Sequence, residues 1–110
     1  MGSTKSNIHD ADNNYLAKVA KVFSHPARVA IIKYISSSQS GCICNDIVKE
    51  IGLAQPTISQ HLSEIKKIGL LDQSASGKSL SYSINTEKLN ACRRLINDFF
   101  VKTQVNSSVK

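Results

Sequence analysis

Between residues 45 and 68, two apolar stripes at helical spacing are separated by a glycine and two more residues, and few folds accommodate that. In the first stripe Ile47, Val48 and Ile51 mark one buried face of a short helix over about residues 45–51. Gly52 follows directly, at the position where a left-handed backbone closes a helix at little cost. Leu53 and Ala54 are left to make the turn. A second helix is predicted over Gln55–Lys67 with Pro56 in its first turn, where a missing N–H loses no hydrogen bond. Ile58, Leu62, Ile65 and Ile68 form its inner stripe, and Gly69 ends it.

Two helices, a tight turn at a glycine and a polar second helix make a helix-turn-helix. A generic helical hairpin has similar amphipathic helices, but its outward face is ordinarily Glu and Lys. Here the outward positions are Gln55, Thr57, Ser59, Gln60 and Ser63, with Lys66 and Lys67 near the end. Amides and hydroxyls both donate and accept, which is what base edges in a DNA major groove require. The second helix therefore reads as a base-recognition helix.

The surrounding chain completes this unit. Residues 15–24 are apolar at Leu16, Val19, Ala20 and Phe23, and Asp10, Asp12 or Asn13 caps the start of that helix. Pro26 opens a second helix over about residues 27–37, apolar on most sides and so central to the core. Residues 70–75 and 80–84 read as two strands, with Leu80, Tyr82 and Ile84 alternating with serines. Ser76-Gly77-Lys78-Ser79 forms the hairpin turn between them and puts Lys78 at the tip, facing a sugar-phosphate backbone. A last helix from Thr86 to about Lys102 carries Leu89, Cys92, Leu95, Ile96, Phe99 and Phe100. Its paired phenylalanines give more apolar surface than one core contact uses. Leu16, Val19 and Phe23 with Leu95, Phe99 and Phe100 are thus the candidate dimer interface.

The expected fold is mainly α with a small β-hairpin, a winged helix-turn-helix of five helices and a two-stranded wing. Residues 1–14 form a flexible arm, 15–102 the DNA-binding and dimerisation domain, and 103–110 a disordered tail. Charge follows the same division. The net +6 is distributed as +3 over residues 1–40, −1 over 41–72 and +4 over 73–110. The reading helix sits in the segment that is not basic, so phosphate contact falls to its end and its flanks, Lys66, Lys67 and Lys78 foremost. An odd count of three cysteines makes no disulfide framework, and no secretory or membrane-spanning stretch stands out, so a cytoplasmic chain with reduced thiols is expected.

Three strings carry a family resemblance: FSHPARVAIIKYI at residues 23–35, QPTISQHL at 55–62 and SGKSLSYSI at 76–84. With the helix-turn-helix over residues 41–71 they resemble the ArsR/SmtB family of bacterial repressors, across roughly residues 16–100. The resemblance implies a homodimer held by the first and last helices, releasing a palindromic double-stranded operator on a signal. It also implies a sensor at Cys42-Ile43-Cys44, where thiolates suit arsenite, cadmium or zinc. A third thiolate expected near Ile47 is absent, His9 and Asp10 of the arm are the remaining candidates, and the last helix offers Asp98 but no histidine for the family's other metal site. Thiol redox chemistry of Cys42 or Cys44 with Cys92 is an alternative, and a purely structural role for the cysteines another. His61, beside Leu62, is expected to pack or hydrogen-bond within the domain.

A second class of function, a winged-helix protein-interaction module without DNA readout, is disfavoured by the retained Gln/Thr/Ser face and basic wing tip. An enzyme is excluded on other grounds. No glycine-rich phosphate loop, carboxylate pair or nucleophile–base spacing is present.

Overall fold

The computed structural model describes residues 8–103; residues 1–7 and 104–110, half of the expected arm and nearly all of the expected tail, lie outside the described residues. The element order is α1 (Ala11–Val22), α2 (Pro26–Ser36), β1 (Cys42–Ile43), α3 (Cys44–Ile51), α4 (Gln55–Lys67), β2 (Leu71–Ser76), β3 (Ser79–Ile84) and α5 (Thr86–Lys102). The five named helices and the wing are as expected, and α4 has the predicted bounds.

Helix α1 begins four residues earlier than the expected start at residue 15. The Asp10 side chain accepts from the Asn13 backbone N–H at 2.7 Å, satisfying a donor that would otherwise be orphaned, so the helix starts at a polar cap. Pro26 occupies the first turn of α2, and Asn85 caps α5 through Lys88 N–H. These are local signals, and they act locally.

The core is one cluster. Ile31 and Ile35 of α2 meet Ile47 of α3 and Ile58, Leu62 and Ile65 of α4, all essentially inaccessible to solvent. Fully burying each such side chain is worth about 1.5–3 kcal/mol, so this contact dominates the stability of the helix-turn-helix. Tyr15 of α1 ties the periphery to it. Its Oη donates to the Ile68 carbonyl at 2.9 Å and lies 3.3 Å from Cys92 Sγ. Burial, reinforced by this thiol, pushes the Tyr15 pKa up to about 12.

The sheet differs from expectation in having three strands. β1 pairs antiparallel with β3, Cys42 opposite Tyr82 and Ile43 opposite Ser81, giving the order β1-β3-β2. A two-residue strand carries no alternation to read, so nothing in the sequence distinguishes it from loop. Leu80 also departs from the expected half-buried pattern and is 45 % exposed, like the rest of residues 77–80 around the wing turn.

Two glycines make the connections possible. Gly52 closes α3 at φ 81° with open space around its Cα, so only backbone conformation demands glycine there. Gly41, at φ 92°, leads into β1, and a Cβ on it would stand 2.6 Å from Ser81 Oγ and 3.1 Å from the Tyr82 carbonyl oxygen. Gly52→Ala should therefore cost about 1 kcal/mol. Gly41→Ala should cost clearly more, since it adds a steric clash at the β1–β3 pairing; urea denaturation of the two variants checks the order.

Candidate nucleic-acid interface

Helix α4 rises about 1.5 Å per residue and so spans about 20 Å over its 13 residues, enough to cross a major groove. Its buried stripe settles which side faces outward. Gln55, Thr57, Ser59, Gln60, Ser63, Lys66 and Lys67 are all exposed, as is Lys78 in the wing turn. Around the helix these residues divide. At about 100° per residue, Gln60, Ser63 and Lys67 lie opposite the stripe, while Gln55, Ser59 and Lys66 turn toward the wing.

On that wing side is a groove of about 400 Å³ lined by Cys44, Gln55, Ser59, Lys78 and Tyr82 among others. The wing is attached to the helix end by Lys66, whose Nζ donates to Gln73 Oε1 at 2.6 Å. The other expected phosphate contact is also engaged. Lys67 Nζ pairs with the Glu64 carboxylate at 3.0 Å, and Gln60 Nε2 donates to the same Glu64 oxygen at 3.2 Å. The Lys67 hydrogen bond and charge, with Arg28 and Lys21 nearby, hold the Glu64 carboxyl below its ordinary range. Exposed ion pairs of this kind add little to stability and are readily exchanged for a phosphate.

Sequence reasoning missed Glu64, although its i,i+4 and i,i+3 spacing to Gln60 and Lys67 was a readable signal. It also missed the contact that fixes the helix from beneath. Arg28, buried at the start of α2, donates from Nε to His61 Nδ1 at 2.9 Å. His61 is thus held within the domain, as its place beside Leu62 suggested. The His25 ring lies 5.8 Å away, centroid to centroid. An imidazole that accepts at Nδ1 carries its proton on Nε2.

The cysteines are separated in environment. Cys42 is buried in β1, where burial pushes its thiol pKa up, whereas Cys44 is half-buried with its sulfur 4.0 Å from Ser59 Oγ. Cys92 is buried on α5 against Tyr15. Among the described residues no group of three or more His, Cys, Asp or Glu side chains is arranged to hold a metal ion. The Cys42/Cys44 pair therefore does not by itself complete a thiolate site.

Leu16 and Ala20 of α1, Phe23 directly after it, and Ile96, Phe99 and Phe100 of α5 line an apolar groove of about 530 Å³. Phe99 and Phe100 are 44 % and 65 % exposed in the single chain. Val19 sits at the back of this groove but is 1 % exposed and belongs to the chain's own core. Leu95 is partly buried and lines a separate, smaller pocket with Leu16 and Phe99.

Residues 25–73 match the family model described as bacterial regulatory protein, arsR family. A transcriptional regulator of the helix-turn-helix type from Methanocaldococcus jannaschii is 32 % identical over 82 residues, which cover 74 % of this chain and 91 % of that protein. The chain belongs to the ArsR family. The cadmium resistance transcriptional regulatory protein CadC of Listeria innocua is 29 % identical over 89 residues, 81 % of this chain and 74 % of CadC. Among solved structures, an ArsR-like transcriptional regulator from Rhodococcus sp. RHA1 superposes with a TM-score of 0.71 at 18 % identity, covering 81 % of this chain and 82 % of that one. The homodimeric winged helix-turn-helix DNA-binding domain Mb0332 of Mycobacterium bovis gives 0.63 at 21 % identity, covering 83 % and 85 %. This ArsR-family chain is a transcriptional regulator with a winged helix-turn-helix, not an enzyme. No helix among its described residues is long and apolar enough to cross a membrane.

The geometry under α4 has a pH consequence. Burial first, and then the charges of Arg28 and His25, hold the His61 pKa below the ordinary imidazole value. As pH falls below about 6.5 the unfolded chain takes up this proton before the folded one, so stability is full above that pH and declines below it. His61→Gln keeps a carbonyl acceptor for Arg28 and removes the titration. Its unfolding free energy should fall less between about pH 7 and pH 5 than that of the wild type, measured by chemical denaturation.

Proposed function

We propose that the chain is a cytoplasmic repressor that binds a palindromic double-stranded DNA operator as a homodimer, reading bases with α4. The observation that carries this is the outward face of α4. Over 13 residues it presents amides and hydroxyls where an ordinary surface helix presents Glu and Lys, and the Ile58–Leu62–Ile65 stripe holds that face away from the core. Gln55, Thr57, Ser59, Gln60 and Ser63 are the base or near-backbone contacts, and Lys66, Lys67 and Lys78 the phosphate contacts. The Gln60 amide gives one N–H to Glu64, which leaves its other N–H to donate to adenine N7 and its carbonyl oxygen to accept from adenine N6 or cytosine N4.

The apolar groove between α1 and α5 supports the dimer: a second copy would cover Phe99 and Phe100 and bring two reading helices to one DNA face, as half-sites one helical turn apart require. The Mycobacterium bovis structure of the same fold is described as homodimeric.

Replacing Ser59 and Gln60 by alanine should reduce discrimination between operator and random DNA by about 1–3 kcal/mol for each base that is no longer read. Lys78→Ala should instead weaken binding to all sequences alike and lower its salt dependence. Fluorescence anisotropy on both variants separates the two roles, and unchanged operator affinity in both would refute the assigned face.

For the releasing signal, the reading is that a soft ion or thiol-reactive compound acts at Cys42 and Cys44. The name of CadC favours a metal for that relative; in this chain the buried Cys42 and the half-buried Cys44 need ligands from a partner subunit or from residues outside those described. Titrating arsenite, Cd²⁺ and Zn²⁺ into the protein–operator complex should release DNA from wild type but not from Cys42→Ser or Cys44→Ser. Retention of DNA with every ion would make the cysteines structural.

A further inference from the structure

A cleft between α1, the start of α2 and the end of α4 concentrates more positive charge than the fold itself uses. Lys18 and Lys21 of α1, Arg28 of α2 and Lys67 of α4 line a cavity of about 240 Å³, and Glu64 is the one carboxylate in its wall. Four cations thus face a single anion, and that anion is already paired with Lys67. Exposed lysines alone would be an ordinary solvated face. Arg28 is what distinguishes this one.

Arg28 is only 7 % exposed, with Nε given to His61. Its Nη1 is the buried side-chain polar atom that lacks a hydrogen-bond partner among the described residues. A guanidinium carries five donors in a planar fork, and leaving a buried charged donor idle is costly unless an anion answers it. A protein has little reason to hold such a group under a ring of lysines for packing alone.

We propose that this cleft binds a phosphate group. A phosphate offers more acceptor oxygens than a carboxylate and carries charge that cations arriving from three elements can share. The cavity exceeds one phosphate and leaves room for the group to which it is esterified. Lys67 belongs both to the cleft and to the outward face of α4, so a phosphate here would lie at the edge of the reading surface, on the side away from the wing groove. Two sources present this chemistry: the backbone of the operator, in which case the inference rests on the DNA reading above, and free phosphate or a small phosphorylated compound, in which case it does not.

The test uses the full chain and the Lys18→Ala/Lys21→Ala variant, both positions being exposed. Lys33→Ala/Lys49→Ala, which removes the same charge from α2 and α3 outside the cleft, is the control. If the operator backbone is the ligand, the slope of log affinity against log salt should fall by about 0.9 for each cleft engaged, in the variant and not in the control. If free phosphate is the ligand, inorganic phosphate should produce saturable NMR shifts at the Arg28 Nε–H and the Lys21 amide that the variant loses. Either result supports the cleft and names its source. An unchanged salt slope, or an equal fall in the control, together with no saturable phosphate shift overturns the proposal. Should the wild type bind no DNA at all, the reading of α4 would fall by itself and the phosphate titration would decide for the cleft.

Discussion

Everything on the outward side of this molecule depends on how Ile58, Leu62 and Ile65 lock α4 against Ile31 and Ile35 of α2. Once three adjacent turns of one helix are buried to completion, the rotation of that helix about its axis is settled, and so is the set of side chains it presents. Rotation by one residue would drive Ser59 and Ser63 into an apolar core without partners, at a cost of about 1–3 kcal/mol each. The Arg28–His61 hydrogen bond adds a polar fixation to the same contact and fixes the height of α4 over α2. A reading helix needs both, because a base contact tolerates little displacement.

The division between base recognition and charge follows from that lock. The exposed centre of α4 is nearly neutral, and its two terminal lysines are tethered, Lys66 to Gln73 of the wing and Lys67 to Glu64. Among the described residues, charge without an ion-pair partner lies to either side, at Lys78 on the wing and at Lys18 and Lys21 on α1. Such an arrangement lets phosphate contacts set position while amides and hydroxyls set sequence. Glu64 takes part in both, since it holds Gln60 and Lys67 together and stands in the wall of the α1–α4 cleft.

Much of this was legible in the chain because it is encoded locally. The stripes of α3 and α4, the closing glycine at Gly52, the proline that opens α2 and the hairpin around Gly77 and Lys78 are signals within a few residues of one another. The early start of α1 belongs to the same class but is easily overlooked, because Ala11–Asn14 carries no apolar stripe; only the Asp10 cap marks it. What escaped was long-range. The Arg28–His61 bond joins residues 33 apart, the Tyr15–Ile68 bond residues 53 apart, and the pairing of Cys42 with Tyr82 is likewise remote in sequence, and no periodicity records such contacts. For the same reason a family motif at Cys42 and Cys44 could be read from spacing while the burial that separates the two thiols could not.

That the outward face of α4 meets base pairs is tested most directly by residue-resolved NMR of the protein with its operator duplex. Thr57, Ser59, Gln60 and Ser63 should show the large DNA-dependent shifts of the helix, with intermolecular contacts to base protons in the major groove, while Ile58, Leu62 and Ile65 keep the packing contacts they have without DNA. Large shifts confined to α1, α5 or the wing, with the side chains of α4 unaffected and no contact from them to any base, would contradict it.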